Sequence, residues 1–521
     1  MMNRKDCQNI NNEVYDVLIV GGGITGAGIL SELSERGYNA ILIEKGDFAS
    51  GTSSKSAKLV HGGLRYLQYG HFKLVKESLK ERDYLLSKYP HIVKPLEFIY
   101  PVYSFSLKVK VFIGLLFYKL FSWKSKLSKI RYIGRNKTLK KYKDINSRDL
   151  KCSFSYFDAV TSDARLCNEI IYNSCNNSKA IALNYCKLKS LRYTNEFISV
   201  KCYDNILKTE LNIKAQYIVN ASGPWMDELN STFNSEKIKI TAPSKGIHIV
   251  LSKSKFPYDC SFVFTSNAND KRWIYSVPWE NNSVLIGATD TTYDDKIDNV
   301  SVNKEDVEYI IKALQNFAPE LNISNADIIS SFSGIRPLLK NENVSSKDLS
   351  REYKIWWLDD KILNVFGGKL TGFRSMANIS ANMLDAKSNR TSKTKIALNN
   401  DYNINKNDEF SKYIINKYLY ESERLFSICE ENSNANNKIS KDLDIYIVEV
   451  IYFIRYQSCY FLSDILTRRL SISYVIASLK NKDEIIKKVA NILKKENKLT
   501  DEEINNDIFM YEKMCENNSL I

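Results

Sequence analysis

Residues 15–44 constrain this chain more than any other stretch. Tyr15 to Val20 is apolar, Gly21-Gly22-Gly23-Ile24-Thr25-Gly26 is a glycine turn, a helical stretch follows, and Ala40-Ile-Leu-Ile43 runs into Glu44. Strand, turn, helix, strand and acid stand in the order of a dinucleotide-binding βαβ unit. Gly21 permits the tight turn, Gly23 lets backbone approach a pyrophosphate, and Gly26 and Gly28 let the helix pack close on the sheet. The helix N-terminus then offers free N–H groups and a positive dipole end to phosphates. Glu44 ends the second strand, where a carboxylate can accept hydrogen bonds from a ribose. A glycine pattern alone often marks a chance turn; all five features in sequence do not.

A chain of 521 residues is too long for one core, so two or three domains are expected. Hydrophobic content of 44% and charged content of 26% are ordinary for a soluble protein. The formal charge of +14 suits a membrane surface, a nucleic acid or an anionic substrate, but Lys and Asn are abundant throughout, and a solvated basic surface accounts for it equally well. None of the ten cysteines has C-x-x-C spacing and no Cys/His cluster has zinc-ligand spacing, so no metal is expected and the thiols are read as reduced, in a cytosolic or cytosol-facing protein. The first fourteen residues lack the apolar run of a secretory signal, and no apolar stretch is long enough to span a bilayer.

Residues 50–70 form a Ser/Gly-rich loop in which His61, Gly62, Gly63, Arg65 and Tyr66 cluster, in a chain with only four histidines; this favours a site over a surface loop. Val111 to Trp123 is apolar, with Lys108 and Lys110 before it and Lys124, Lys126, Lys129 and Arg131 after it. It is too short to span a bilayer and suits either a membrane interface or a buried helix with basic ends. Strands are expected at 216–220, 247–251, 272–279, 284–290 and 362–367, and helices at 71–88, 304–320 and 370–385. Residues 386–408 are polar and linker-like, and 409–521 is a helical domain with Asp464-Ile-Leu-Thr-Arg-Arg-Leu470 in one helix.

Three further features bear on chemistry. Gly367 and Gly368 let backbone approach a flat ligand, the next helix N-terminus points donors at it, and Lys369 adds charge; an ordinary βα turn is the plain alternative. Arg336, between a glycine and a proline in Ser333-Gly-Ile-Arg-Pro337, suits bidentate binding of phosphate or carboxylate as well as it suits a structural ion pair. His248 alternates with apolar residues on a strand, where a lone histidine is more often a core residue than a catalyst.

Thr52-Ser-Ser-Lys-Ser-Ala-Lys-Leu-Val-His-Gly-Gly-Leu-Arg-Tyr-Leu67 closely resembles the flavin-proximal segment of the FAD-dependent glycerol-3-phosphate dehydrogenases. Asn220-Ala-Ser-Gly-Pro-Trp225, Gly246-Ile-His-Ile-Val250, Gly287-Ala-Thr-Asp290, Ser333-Gly-Ile-Arg-Pro-Leu338 and Phe366-Gly-Gly-Lys-Leu-Thr371 resemble its other motifs in order. The resemblance is strong over 14–385 and weaker around Asp464 to Leu470. It implies an α/β FAD-binding Rossmann-like domain (14–85, 150–235 and 330–385), an interleaved mixed-sheet substrate domain (86–149 and 236–329) and an α-helical C-terminal domain (409–521).

The resemblance further implies oxidation of sn-glycerol 3-phosphate to dihydroxyacetone phosphate, with hydride transfer to FAD and electrons passed to a membrane quinone. His248 would be the general base at the C2 hydroxyl, and Arg336 could instead orient the alkoxide. Arg65, Tyr66, Arg336, Arg351 and Lys369 would surround the phosphate and the glycerol hydroxyls. FAD would be held by Gly21, Gly23, Ile24, Thr25 and Gly26 of the first turn, by Glu44 and Lys45, and by Thr52, Ser53 and Ser54. His61, Gly62, Gly63 and Leu64, then Ser222 and Gly223, Asp290, and Gly368, Lys369, Leu370 and Thr371 would complete the cofactor site. The implied location is cytoplasmic, peripheral on the inner face of the cytoplasmic membrane against an anionic lipid surface, with a homodimer left open and no nucleic acid as partner. A soluble oxidase that uses oxygen, a related amino-acid oxidase and a non-enzymatic basic scaffold are the competing readings. Two positions depart from the family pattern: Lys55 and Ala57 stand among residues usually small and polar, and Lys55 is expected to project to solvent.

Overall fold

The computed structural model describes residues 4, 10–11, 13–233, 239–266, 272–340, 353–390 and 408–518. An eight-stranded sheet is built on the glycine-turn unit. Its central strand Val14–Val20 runs parallel to Ala40–Ile43 on one side and to Thr209–Asn220 on the other. Ile362–Gly367 continues the parallel run beyond Thr209–Asn220, and Ile181–Leu183 beyond Ala40–Ile43. These strands are rich in Val and Ile because both faces are covered. The helices Ile24–Glu35, Asp163–Asn176 and Phe373–Ser388 share one apolar core against them. Close packing there depends on two glycines. A Cβ at Gly26 would lie 1.9 Å from the Gly21 carbonyl oxygen, and one at Gly28 would lie 2.5 Å from Phe373. Strand order reverses about Val14–Val20, and the crevice beyond the carboxyl ends at such a switch point is where ligands bind in open α/β sheets.

A second, ten-stranded mixed sheet carries Ser244–Ser252 between Ser283–Gly287 and Ile328–Arg336. Its longest ladder joins Val93–Val102 to Cys152–Thr161. The domain limits expected at 150 and 330 are therefore displaced. Cys152–Thr161 and Ile328–Arg336, assigned above mainly to the cofactor domain, belong to this second sheet. Neither was among the expected strands; both are buried along most of their length, and local pattern does not say which sheet such a segment joins.

The helix Phe105–Phe121 starts at Ser104, whose hydroxyl accepts the Leu107 N–H at 3.2 Å. It lies between the two expected descriptions of this segment. Val111, Leu115 and Tyr118 are buried, whereas Phe105, Phe112, Ile113, Leu116 and Leu120 face outward. Within the expected linker, residues 391–407 lie outside the described residues. From 409 on, six α-helices among the described residues and a small hairpin, Lys438–Ser440 with Leu443–Tyr446, enclose their own apolar core. Asp464–Arg469 forms a π-helical turn within it. No helix among the described residues is long and apolar enough to cross a membrane.

Candidate active site

Two joined cavities occupy the crevice. The larger, about 770 Å³, begins at Gly21, Gly23, Ile24 and Thr25, passes Glu44 and Lys45, and continues by Thr52 and Ser53. Ser222 and Gly223 line its side, and Gly368, Lys369 and Leu370 line its far end. The helix N-terminus is served from the neighbouring loop, where the Ser53 hydroxyl accepts the Ile24 N–H at 2.9 Å. The half-buried Glu44 carboxylate accepts the N–H groups of Gly22 (2.7 Å) and Gly46 (2.9 Å), while burial pushes its pKa up. A Cβ at Gly223 would meet no protein atom within 4 Å, so bare backbone faces the cavity there. Anion-ready N–H groups at one end, a strand-end acid and a glycine-faced far wall fit FAD in an extended form.

The smaller cavity, about 460 Å³, shares Thr52, Lys55, Gly368, Lys369 and Leu370 with the larger. His61, Gly63, Arg65, Tyr66, His248, Asp290, Arg336 and Thr371 line it further. Thr371 is tied to the His61 backbone, its hydroxyl accepting the His61 N–H at 3.3 Å. Lys369 Nζ lies 3.4 Å from the centroid of the Tyr66 ring. Arg336 donates to the Thr289 carbonyl at 2.7 Å and pairs with Asp290 at 3.3 Å. Asp290 also holds Arg272 at 2.8 Å and accepts from the Ser244 hydroxyl. Two guanidiniums thus share one carboxylate and leave net positive charge at the cavity wall.

His248 is 4% exposed, and neither ring nitrogen has a hydrogen-bond partner among the described residues. Its ring stacks on Phe332 at 5.0 Å and 17°. Burial, with the Arg336 and Lys58 charges adding to it, lowers its pKa to about 3, so the imidazole is neutral. A buried neutral imidazole facing a cavity with both nitrogens unspent can accept a hydrogen bond from a ligand hydroxyl.

Several expected site residues lie elsewhere. Gly26 and Gly62 are packing positions: a Cβ at Gly62 would lie 2.4 Å from both Leu79 and the Tyr118 hydroxyl. Ser54 is buried, with its hydroxyl donating back to Gly51 at 3.4 Å, and Leu64 joins an apolar cluster beneath the helix Phe105–Phe121. Asp290, expected at the cofactor, lines the smaller cavity and pairs with arginines instead. Arg351 lies outside the described residues. Lys55, expected to point to solvent, is half-buried where the cavities meet, and burial lowers its pKa. Arg272 and Tyr275, which line the smaller cavity, were not singled out from sequence. An arginine opening an apolar strand at Arg272-Trp273 was the available signal for the first.

Residues 16–373 match the family described as FAD dependent oxidoreductase, DAO. The aerobic glycerol-3-phosphate dehydrogenase of Staphylococcus aureus is 33% identical over 525 residues, covering 93% of this chain and 92% of that protein. The crystal structure of the glycerol-3-phosphate dehydrogenase from Bacillus halodurans, complexed with FAD, superposes with a TM-score of 0.75 at 26% identity, covering 99% of this chain and 97% of that one. The dithionite-reduced L-alpha-glycerophosphate oxidase from Mycoplasma pneumoniae, with FAD bound, shares the fold at a TM-score of 0.60 and 18% identity over 76% of this chain and all (100%) of that one. With a nucleotide crevice that fits FAD opening onto a cationic cavity, and with these relatives along nearly its full length, the chain belongs to the FAD-dependent glycerol-3-phosphate dehydrogenases of the DAO oxidoreductase family.

Proposed function

We propose that this enzyme oxidises sn-glycerol 3-phosphate to dihydroxyacetone phosphate and passes the electrons to a quinone while resting on an anionic membrane. The observation that carries the substrate reading is His248, with both nitrogens unspent, in a cavity walled by Arg336, Arg272, Arg65 and Lys369. A phosphate dianion needs several cations, and Arg336, held by Thr289 and Asp290, sets a fixed positive charge beside it. With the phosphate so anchored, the C2 hydroxyl is presented to His248, which takes its proton as the C2 carbonyl forms and the C2–H bond breaks. FAD, when bound, supplies the two-electron acceptor. The imidazolium formed at His248 is offset by the negative charge of the bound phosphate.

The acceptor reading is supported by the outward face of Phe105–Phe121. Phe105 is 74% exposed, Leu120 62% and nearby Trp123 70%, with Lys108, Lys119, Lys124 and Lys126 around them. Burying each such side chain in lipid is worth about 1.5–3 kcal/mol, and the lysines favour anionic headgroups. A quinone is dissolved in that lipid; oxygen needs no such face.

Anaerobic addition of glycerol 3-phosphate should bleach the flavin absorbance, and glycerol should not; equal bleaching by both would discard the phosphate cavity. Rapid dye-quinone reduction with slow oxygen uptake is expected, and the reverse would make the enzyme an oxidase. Vesicles containing phosphatidylglycerol should carry the protein on flotation. A Phe105→Glu, Leu120→Glu, Trp123→Glu protein should stay behind with its turnover of a soluble dye intact.

A further inference from the structure

The motif Asp464–Leu470 lines neither cavity, yet it carries heavily buried charge. Arg468 Nε donates to Asp47 at 2.5 Å and its Nη2 to Asp464 at 2.6 Å. Arg469 grips the same Asp47 through Nη1 at 2.8 Å and Nη2 at 3.1 Å. Asp47 is 1% exposed, Arg469 2%, Arg468 7% and Asp464 0%. Two charges of each sign close on one another out of water, a geometry that tolerates little displacement.

Asp47 follows the strand-end acid by three residues. Between them, Gly46 donates its N–H to Glu44 at 2.9 Å and its carbonyl accepts the Tyr185 N–H at 2.7 Å. Tyr185 in turn donates its hydroxyl to Asp464 at 2.5 Å. The turn that follows Glu44 is therefore held at two adjacent residues by the same π-helical segment of the C-terminal region, at Asp47 directly and at Gly46 through Tyr185. The βαβ unit supplies the strand that brings Glu44 to the crevice, and the distant helices supply the side chains that fix the turn after it.

We propose that Arg468 and Arg469 are positioning residues for the cofactor: docked on Asp47, they fix the turn that presents Glu44 to the adenosine ribose, so FAD affinity and docking of the C-terminal helices are coupled. This inference rests on FAD as the cofactor and not on the identity of the substrate or the electron acceptor. The coupling is reciprocal, as binding linkage requires. FAD tightens the docking of residues 464–470, and their docking tightens FAD.

The test uses FAD release from diluted holoenzyme, followed by recovery of flavin fluorescence. Arg468→Gln should raise the FAD dissociation constant tenfold or more, while turnover at saturating FAD stays within about twofold of wild type. Leu493→Ala, a cavity in the C-terminal core away from Asp47, should lower the melting temperature without releasing FAD. In a double-mutant cycle with Glu44→Gln, the combined loss of affinity should be smaller than the product of the single losses, because both act through one turn. If Arg468→Gln does not fold, Asp464→Asn keeps the shape and removes one charge, and a severalfold weaker FAD affinity is expected. Hydrogen exchange gives an independent reading, with the amides of residues 464–470 slower in the FAD-bound protein than in the stripped one. Wild-type FAD affinity in both Arg468→Gln and Asp464→Asn, multiplicative losses in the cycle, or equal FAD release from Leu493→Ala would each overturn the proposal. Failure of wild type to hold FAD would overturn the cofactor assignment itself, and the proposal with it.

Discussion

Gly287→Ala tests the role of His248 without touching the histidine. The two residues are paired across adjacent strands, and a Cβ at position 287 would lie 2.3 Å from His248 Cδ2, 2.8 Å from Cγ and 2.9 Å from Nε2. Ordinary contact begins at 3.4 Å, so the ring must retreat by about 1 Å. It has no room to do so in its own plane of stacking, because Phe332 packs behind it at 5.0 Å and is itself 2% exposed. The Lys58 ammonium lies against that Phe332 ring at 5.3 Å and is locked by Asp163 at 2.7 Å. The imidazole must therefore tilt away from the position proposed for it at the substrate hydroxyl. A misplacement of that size costs roughly a hundredfold in rate, or about 2.7 kcal/mol of transition-state stabilisation. The assay is anaerobic flavin bleaching in a stopped-flow instrument at saturating glycerol 3-phosphate, with FAD content measured by absorbance. FAD content should hold, since Gly287 does not line the larger cavity, and the bleaching rate should fall about a hundredfold. In a His248→Ala background the same glycine change should cost little further rate, because the ring it displaces is gone. A wild-type rate, or the same hundredfold loss in the absence of the ring, would refute the reasoning.

Gly246→Ala places a Cβ 2.2 Å from Arg336 Nη2 and 2.6 Å from Nη1, so it should raise KM for glycerol 3-phosphate by about ten- to a hundredfold with a smaller effect on kcat; steady-state kinetics decides it. Gly26→Ala sets a methyl 1.9 Å from the Gly21 carbonyl oxygen and must push the helix off the turn, so the purified protein should be colourless or nearly so. Acid should weaken the fold through His248. The folded chain keeps this imidazole neutral down to about pH 3, whereas the unfolded chain protonates it near pH 6.5. The unfolded state therefore binds the extra proton between these values, and stability falls as pH falls through the window. At pH 5 the loss is about 2 kcal/mol relative to pH 7, measurable by urea unfolding and absent from His248→Gln. Asp163→Ala strips the buried Lys58 of its partner and should cost about 3–5 kcal/mol by the same urea measurement.

What was legible from sequence is what local pattern can carry. The turn at Gly21–Gly26 is dictated within a dozen residues by apolar spacing and by positions where no Cβ fits, and the molecule folds as that pattern requires. Gly368, Lys369 and Arg336, each flanked by residues that shape its own backbone, all line the smaller cavity. The misplacements are all long-range. Cys152–Thr161 was not among the expected strands, and its partner Val93–Val102 is chosen by packing about fifty residues away, so the boundary at 150 could not be drawn from its own pattern. Asp290 reads as the acid ending a strand, expected at the cofactor, and only the fold reveals that Arg272 and Arg336 converge on it.

Lys55 is the instructive failure. A lysine in a serine-rich loop belongs in water by any local rule, yet Gly334 leaves space for its backbone and the loop turns it inward between the two cavities. A half-buried ammonium whose pKa is lowered by burial, Arg468 and Lys58 is stabilised by an anion held beside it. Both expected ligands of this crevice are anionic, a pyrophosphate on one side and a phosphoester on the other. The same reasoning places Arg65 and Lys369 at the cavity wall. Charges that local sequence would assign to solvent become legible as a site only once their shared destination is known, and that destination is set by the strand order around Val14–Val20 and not by any residue near them.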